Sequence, residues 1–148
     1  MEPTQEQRRN LAAFRRLIDE GFSRGNLAVV DETCAENLIE HQDGFDPPNR
    51  EGVKRGIAFL HALAPDIRVT VEAIDAIEDR VWARLRARGT HGGRVLGGPT
   101  GRPFEITVLD LGRFRDGAIA EHWGVPDRFA QMVQLGLLQL AGLPTLGR

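Results

Sequence analysis

The sequence has 148 residues, a formal net charge of −2 and a single cysteine, Cys34. That length is typical of one domain, so we expect residues 1–148 to form a single unit that is large enough to enclose a pocket. A net charge this close to zero argues against an electrostatic nucleic-acid binder, and one cysteine excludes a disulfide framework. The polar segment 1–10 and the lack of a long apolar run predict a cytoplasmic protein without a membrane span.

The first half of the sequence carries helical signals. Thr4 and Gln7 match a capping box, and the apolar residues that follow recur at helical spacing. Cys34 comes directly after a second, short helical pattern, and we expect it on that helix as a packed, unreactive side chain. The elements predicted here are a helix at residues 5–24, a short helix begun by Asn26, a strand near residues 38–42 and a helix from Arg50 to just before Pro65.

The second half of the sequence alternates apolar and polar residues with a period of two, as strands with one buried face require. Asp116-Gly117 supplies a tight turn between the last two strands, and Asp127 is placed to cap a closing helix. Helices followed by a meander of strands indicate an α+β fold. The predicted strands cover residues 67–73, 81–91, 104–114 and 118–124.

The alternation assigns one face of each strand to the interior. Ala73 falls on the inward face of the first strand, and the inward residues of the next strand are small: Ala83, Ala87 and Gly89. Small residues on a curved sheet permit two arrangements, namely close packing of helices or an apolar pocket for a small molecule. The residues themselves leave both arrangements open.

Asp110 is the most informative single residue, because the face that carries it is otherwise apolar: Phe104, Ile106, Val108, Gly112 and Phe114. Burial of an unpaired carboxylate costs free energy. Asp110 is therefore either a structural residue bonded to the backbone or to an arginine, or a functional acid or base. We favour the functional interpretation.

The segment Arg113–Asp127, RFRDGAIAEHWGVPD, combines a hairpin turn, a Glu-His-Trp triplet and a helix cap. It resembles the end of the SnoaL-like polyketide cyclases, which belong to the nuclear transport factor two-like, ketosteroid isomerase-like superfamily. The order and spacing of several motifs carry the resemblance over nearly the whole chain. The other motifs are Ile39-Glu40-His41, Gly89-Thr90-His91, Pro99-Thr100-Gly101 and Gln134-Leu135-Gly136.

The resemblance implies a conical fold, in which a curved antiparallel sheet wraps around the N-terminal helices and encloses an apolar pocket. It places His122 on the concave side, where the histidine and Asp110 could share a proton. His41 is a third catalytic candidate, at the opposite wall. The residues then expected to bind the substrate are Phe14, Ile18, Ile57, Leu60, Val71, Ala83, Leu85, Ala87, Val108 and Gly124.

The convex face of the sheet is the expected site of assembly. Many members of the family that the chain resembles dimerise through this face. So much apolar and aromatic surface would be unusual on a monomer, and we therefore expect a homodimer. Alternation places Trp82, Leu109, Leu111, Ile119 and Trp123 on this side.

The sequence departs from the family at the catalytic position. In the polyketide cyclases the acid/base carboxylate follows the histidine of the last strand, and the corresponding residue here is Gly124. The family's catalytic aspartate therefore does not carry over, and Asp110 becomes the candidate. A ketosteroid isomerase site is disfavoured as well, because its oxyanion hole uses tyrosine and this chain has none.

Two classes of function remain. The first is an enzyme of cyclase, isomerase or hydrolase type that needs no cofactor or metal and acts on a small, mostly apolar carbonyl compound. Asp110 would be its acid or base, with His122 and His41 as partners. The second is a non-catalytic protein that binds a small ligand on the same scaffold. An epoxide-hydrolase-like activity would need an arginine in the pocket, whereas Arg84, Arg86 and Arg88 fall on the outer face, with Glu72 and Glu105 as expected ion-pair partners.

Overall fold

The computed structural model describes residues 1–139 and confirms the α+β class. Helix α1 (Gln5–Arg16) continues directly into a π-helical segment (Leu17–Ser23), and α2 (Ala28–Thr33), α3 (Arg50–Leu63) and α4 (Arg128–Gln134) follow along the chain. The strands are β1 (Cys34–Glu40), β2 (Arg68–Ile77), β3 (Arg80–Thr90), β4 (Pro103–Arg115) and β5 (Ala118–Pro126). Within residues 1–139, every helix is too short or too polar to cross a bilayer.

The five strands form one curved, unclosed sheet in the order β1-β5-β4-β3-β2. Three of its pairings are antiparallel, as expected, but β1 runs parallel to β5. The sheet is therefore mixed rather than purely antiparallel. A parallel pairing needs a long connection, and here α3 and the three strands β2–β4 lie between β1 and β5.

The first helix begins as its sequence predicts. The Thr4 hydroxyl accepts a hydrogen bond from the backbone N–H of Gln7 at 3.1 Å, and the Gln7 side chain accepts one from the N–H of Thr4 at 2.9 Å. The helical segment ends at Ser23, close to the predicted end, although its last two turns widen into a π-helix. Gly25 follows with a φ of 75°, which a glycine adopts without steric cost.

Cys34 lies on a strand, so its predicted place on a helix is wrong. Helix α2 ends at Thr33, and Cys34 takes an extended conformation opposite Ile119 of β5. The pairing with β5 overrides the local helical signal. The side chain is buried, and this burial raises the pKa of the thiol to about 11, which agrees with the expected packed, unreactive cysteine.

A bulge in β5 decides which of its side chains face inward. Arg113 of β4 pairs with Glu121, whereas the next residue, Phe114, pairs with Ile119, so Ala120 is inserted between them. Ile119 therefore points into the core and is completely buried, and its predicted place on the convex face is wrong. Beyond the bulge, His122 is buried and Trp123 is part-exposed, as predicted.

A second bulge reverses the facing of β2. Val71 pairs with Leu85 and Ala73 pairs with Arg84, so Glu72 is the inserted residue. Ala73 is consequently exposed, in contrast to the prediction, and Ile74 packs against the core in its place. Uniform alternation cannot detect such an insertion, because one extra residue exchanges the two faces of the strand.

The hydrophobic core fills the closed end of the hollow between the helices and the sheet. Phe14 of α1 is completely buried against Gly112 of β4, where an added Cβ would lie 3.2 Å from the Phe14 ring. Ile57 of α3 is also completely buried, and it packs beside Gly21 of the π-helical segment. The small residues allow the helices to approach the sheet and one another closely.

The bulge in β5 can be tested by stability. Ile119→Ala should lower the free energy of unfolding by about 2–5 kcal/mol, because it leaves a cavity in the core. Ile77→Ala at the end of β2, where the side chain is 60% exposed, should change it by no more than about 0.5 kcal/mol. Urea unfolding followed by tryptophan fluorescence measures both. Equal effects of the two substitutions would show that Ile119 is not in the core.

Candidate active site

A cavity of about 570 Å³ opens between the concave face of the sheet and the helices. Its volume lies in the range of small-molecule sites, and most of its wall is apolar. Five of the ten residues predicted to bind substrate line it: Ile18, Leu60, Leu85, Ala87 and Val108. The residues predicted to bind substrate did not include the aromatic part of the wall, which consists of Phe22, Phe45, Phe59 and Phe104.

The other five predicted residues lie outside the cavity wall. Phe14 and Ile57 belong to the closed core, and Val71 stands next to the bulge of β2. Ala83 borders a groove on the other face of the sheet, and Gly124 borders a smaller depression that adjoins the cavity at Asp43, Pro126 and Arg128. The sequence pattern predicts which residues face inward, but it does not distinguish those that line the open cavity from those that fill the closed core.

Asp110 forms part of the cavity wall and is 6% exposed. Its Oδ2 atom lies 3.5 Å from Nε2 of His122, a contact longer than an ordinary hydrogen bond. Among residues 1–139, no group forms a hydrogen bond with its buried Oδ1 atom. Asp110 thus combines the expected apolar burial with one partner and one free oxygen.

Glu40 completes the cluster from the other side of His122. The Nδ1 atom of His122 lies 2.9 Å from each carboxylate oxygen of Glu40, and the side chain of Glu40 is only 1% exposed. Glu40 Oε1 also accepts a hydrogen bond from the backbone N–H of Gln42 at 2.8 Å. The imidazole is therefore held between two carboxylates, and the glutamate is itself fixed by the backbone.

Strand pairing alone brings these three side chains together. Glu40 of β1 is directly opposite His122 of β5, and Asp110 of β4 is opposite Gly124, two residues beyond the histidine. Diagonal neighbours of this kind are within reach of one another across a sheet. The sequence could have suggested Glu40, because Leu38 and Glu40 share one face of β1, but the pairing of β1 with β5 is a tertiary feature.

The electrostatics of the cluster favour the charged form of His122. Burial alone would lower its pKa, but the negative charge of Asp110 and the hydrogen bonding and charge of Glu40 outweigh that effect. The pKa of His122 is raised from 6.5 to about 10. At neutral pH this histidine is an imidazolium.

His41 does not join the cluster. It lies one residue beyond Glu40 and points to the other side of the sheet, where its ring stacks on Trp123 at 4.6 Å and contacts Glu121 at 2.7 Å. The predicted role of His41 as a partner of Asp110 is therefore wrong, because the alternation of β1 separates it from the inward-facing Glu40.

The outer face carries the expected arginine network. Arg86 is paired with both Glu72 and Glu105, and Arg84 lies 3.8 Å from Glu72. These arginines are outside the cavity, as the alternation predicted. In the part of the chain that the structure describes, no three His, Cys, Asp or Glu side chains are grouped in a way that could hold a metal ion.

Comparison with known proteins agrees with this architecture. A family model described as SnoaL-like polyketide cyclase matches residues 12–135. The chain belongs to the SnoaL-like polyketide cyclase family. The resemblance noted in the sequence is thereby confirmed, and so is the fold that it implied. A search of curated proteins gives no match.

Solved structures with the same fold extend the comparison. IdmH from Streptomyces antibioticus, provisionally described as a polyketide cyclase, is 37% identical, with 86% of this chain and 98% of that chain covered and a TM-score of 0.76. A protein from Bacillus cereus that is provisionally described as a polyketide cyclase is 26% identical, with 88% of this chain and 83% of that chain covered and a TM-score of 0.78. AclR from Streptomyces galilaeus, provisionally described as a hydroxylase, is 24% identical, with coverages of 95% and 87% and a TM-score of 0.79, and this likeness concerns the fold alone.

The charge of His122 predicts how the stability of this SnoaL-like protein depends on pH. A pKa raised on folding gives a stabilisation that is complete below pH 6.5 and is lost as the pH rises through about 10. Chemical unfolding between pH 6 and 10.5 should show this loss. Few other groups interfere, because the chain has no tyrosine, and a Cys34→Ala background removes the thiol, whose raised pKa also reduces stability above pH 9.

Glu40→Gln is the matched variant for this measurement. Because it removes one of the two negative charges beside His122, the pKa of the histidine should fall and the loss of stability should begin at lower pH. Equal stability of the parent protein at pH 7 and pH 10 would contradict a charged His122.

Proposed function

We propose that this protein is a cofactor-independent acid–base catalyst for a small, mostly apolar carbonyl compound, and that its reaction is a SnoaL-like cyclisation. The observation that carries the proposal is the free Oδ1 atom of Asp110. It belongs to a buried carboxylate in the wall of an apolar cavity, and no protein donor among residues 1–139 satisfies it. A polar atom in that position is costly unless a ligand or a reaction uses it.

Asp110 is the catalytic residue in this proposal, because it is the member of the buried cluster that lines the cavity. His122 and Glu40 do not line it, so we assign them positioning roles. The imidazolium of His122 keeps the Oδ2 side of the carboxylate occupied, which leaves Oδ1 for the substrate. Glu40 fixes the ring of His122 and compensates its charge.

The proposed reaction is an intramolecular aldol addition. The Asp110 carboxylate removes a proton from the carbon next to one carbonyl group, and the electron pair of the C–H bond forms an enolate. The enolate carbon attacks a second carbonyl carbon of the same molecule, so a C–C bond forms and the π electrons of that carbonyl move to its oxygen. Asp110 then returns the proton to this oxygen. Atoms and electrons balance without any further reactant.

The cavity and the comparisons support the same substrate class. Aromatic and aliphatic side chains make up most of the wall, which suits a compound with few polar groups. IdmH, at 37% identity, carries a provisional description as a polyketide cyclase, and polyketides contain the repeated carbonyl groups that an aldol addition requires. A non-catalytic binding protein on the same scaffold would use this oxygen only to accept a hydrogen bond from its ligand, whereas a catalyst would also use it to remove a proton.

The proposal can be tested without the natural substrate. In D₂O the protein should accelerate exchange of the α-hydrogens of 2-tetralone, a bicyclic ketone that fits the cavity, and NMR follows this exchange. Asp110→Asn should reduce the rate by at least about 100-fold, because the amide is not a base. Binding of 2-tetralone, measured by calorimetry, should change little.

Asp75→Asn is the control, because Asp75 is an exposed aspartate of β2 outside the cavity. This variant should exchange at the parent rate. If the parent protein binds 2-tetralone and related ketones without exchange, the protein is a binder. If Asp110→Asn mainly lowers the melting temperature and leaves exchange unchanged, Asp110 is a scaffold residue.

We also propose that two copies of the chain associate through the convex face of the sheet. Trp82, Leu109 and Val125 are 49%, 56% and 68% exposed on this side and border a shallow apolar groove. The same face carries both signs of charge, for example in the Arg113–Glu121 pair at 2.9 Å, so the patch can complement itself across a two-fold axis.

Sedimentation at micromolar concentration tests the association. The mass should be near twice the 16.4 kDa of one chain. Leu109→Glu should shift the protein to the monomer, because it places a carboxylate in the middle of the apolar patch. Leu27→Glu on the helical side should leave the mass unchanged. A monomeric parent protein would contradict the proposal.

A further inference from the structure

The residue after His41 returns to the inner side of the sheet. Alternation from Glu40 places Gln42 next to the buried cluster, and Gln42 lines the same cavity as Asp110. The backbone of this segment is fixed at two points. The N–H of His41 donates to the carbonyl of His122 at 2.9 Å, and the N–H of Gln42 donates to Glu40 Oε1 at 2.8 Å. The backbone of Gln42 is therefore held by hydrogen bonds to the same cluster that orients Asp110.

Gly124 provides the space in which Gln42 and Asp110 meet. A Cβ atom added to Gly124 would overlap Oε1 of Gln42 and would lie 2.9 Å from Oδ1 of Asp110. The oxygen of Asp110 that faces this point is the one without a donor. A side chain at position 124 would thus displace the Gln42 amide from its place beside the free carboxylate oxygen.

The Gln42 amide is available for a ligand. Two glutamines line the cavity, and the other, Gln131, accepts a hydrogen bond from Arg128. Within residues 1–139, the Gln42 side chain makes no hydrogen bond, although its amide has two N–H donors and a carbonyl oxygen. Because Oε1 is the amide atom beside Gly124, the N–H₂ group lies on the other side of the amide carbon.

We infer that Gln42 is a second substrate-contacting residue, which donates a hydrogen bond to the carbonyl oxygen of the substrate while Asp110 removes the adjacent proton. This inference deepens the proposed function and rests on it. Removal of the proton places negative charge on that oxygen, and an amide donor in a mostly apolar cavity stabilises the charge as it develops. The donor and the base then act on neighbouring atoms of one enolate.

The exchange of 2-tetralone measures this role. Gln42→Ala should slow the exchange about 100-fold or more, the usual effect of removing one oxyanion donor. Gln42→Glu, which has nearly the same shape but places a carboxylate where the donor is needed, should be equally slow. Gln134→Ala is the control, because the Gln134 side chain forms hydrogen bonds with the backbone of Glu105, outside the cavity. This variant should exchange 2-tetralone at the parent rate when both proteins are measured well below their melting temperatures.

Gly124→Ala is a second variant that displaces the Gln42 amide. The new methyl group would overlap Oε1 of Gln42, the end of a flexible side chain, and would lie 2.9 Å from Oδ1 of Asp110, so both groups must shift. Exchange should be at least as slow as in Gln42→Ala, because the variant displaces the Gln42 amide and also crowds the base. Gly92→Ala is the glycine control, because its Cβ would make only an ordinary contact with Pro65 at 3.5 Å.

Binding of 2-naphthol separates this inference from the proposed function. The molecule has the shape of the enol of 2-tetralone, and its fluorescence reports both binding and ionisation. Gln42→Ala should weaken its binding about tenfold or more, whether or not the protein catalyses exchange. If the parent protein and Asp110→Asn exchange 2-tetralone equally slowly, the proposed function fails. If Gln42→Ala exchanges 2-tetralone and binds 2-naphthol like the parent, the role of Gln42 alone is overturned.

Discussion

The structure depends on the burial of one charged histidine between two carboxylates. His122 is held by Glu40 at 2.9 Å on one side and faces Asp110 at 3.5 Å on the other. Each group would be costly to bury alone, and the three together satisfy one another because they belong to three neighbouring strands. The cluster thereby joins the edge strand β1 to the middle of the sheet, and it leaves one oxygen of Asp110 without a protein donor at the cavity wall.

The bulge in β5 makes this arrangement compatible with a closed core. Ile119 and His122 are three residues apart and both are buried, which a regular strand cannot achieve because residues three apart point to opposite faces. The inserted Ala120 shifts the register, so Ile119 fills the core while His122 and Gly124 face the cluster. Because of this one extra residue, β5 places an apolar side chain in the core at one end and a polar side chain in the cluster at the other.

The chain shares the SnoaL-like fold but has its own distribution of polar groups. The sequence resemblance aligns the family's acid with Gly124, and the absence of a side chain there leaves room for Gln42, just after β1, and Asp110, within β4, to approach each other. A carboxylate on β4 and an amide after β1 then border one space, with His122 and Glu40 behind the carboxylate. The carboxylate in the wall of this apolar cavity therefore comes from Asp110 of β4 and not from β5.

The sequence by itself determined the order of helices and strands, the family, the burial of Asp110 and His122, and half of the predicted cavity wall. These follow from periodicity, capping residues and turn residues, which are local signals. The partnership of Glu40, the exclusion of His41, the facing of Ile119 and Ala73, and the meeting of Gln42 with Asp110 were decided only by the tertiary structure. The physical reason is that these features depend on which strands pair and where a residue is inserted, and in a sheet a shift of one residue exchanges the inner face for the outer one.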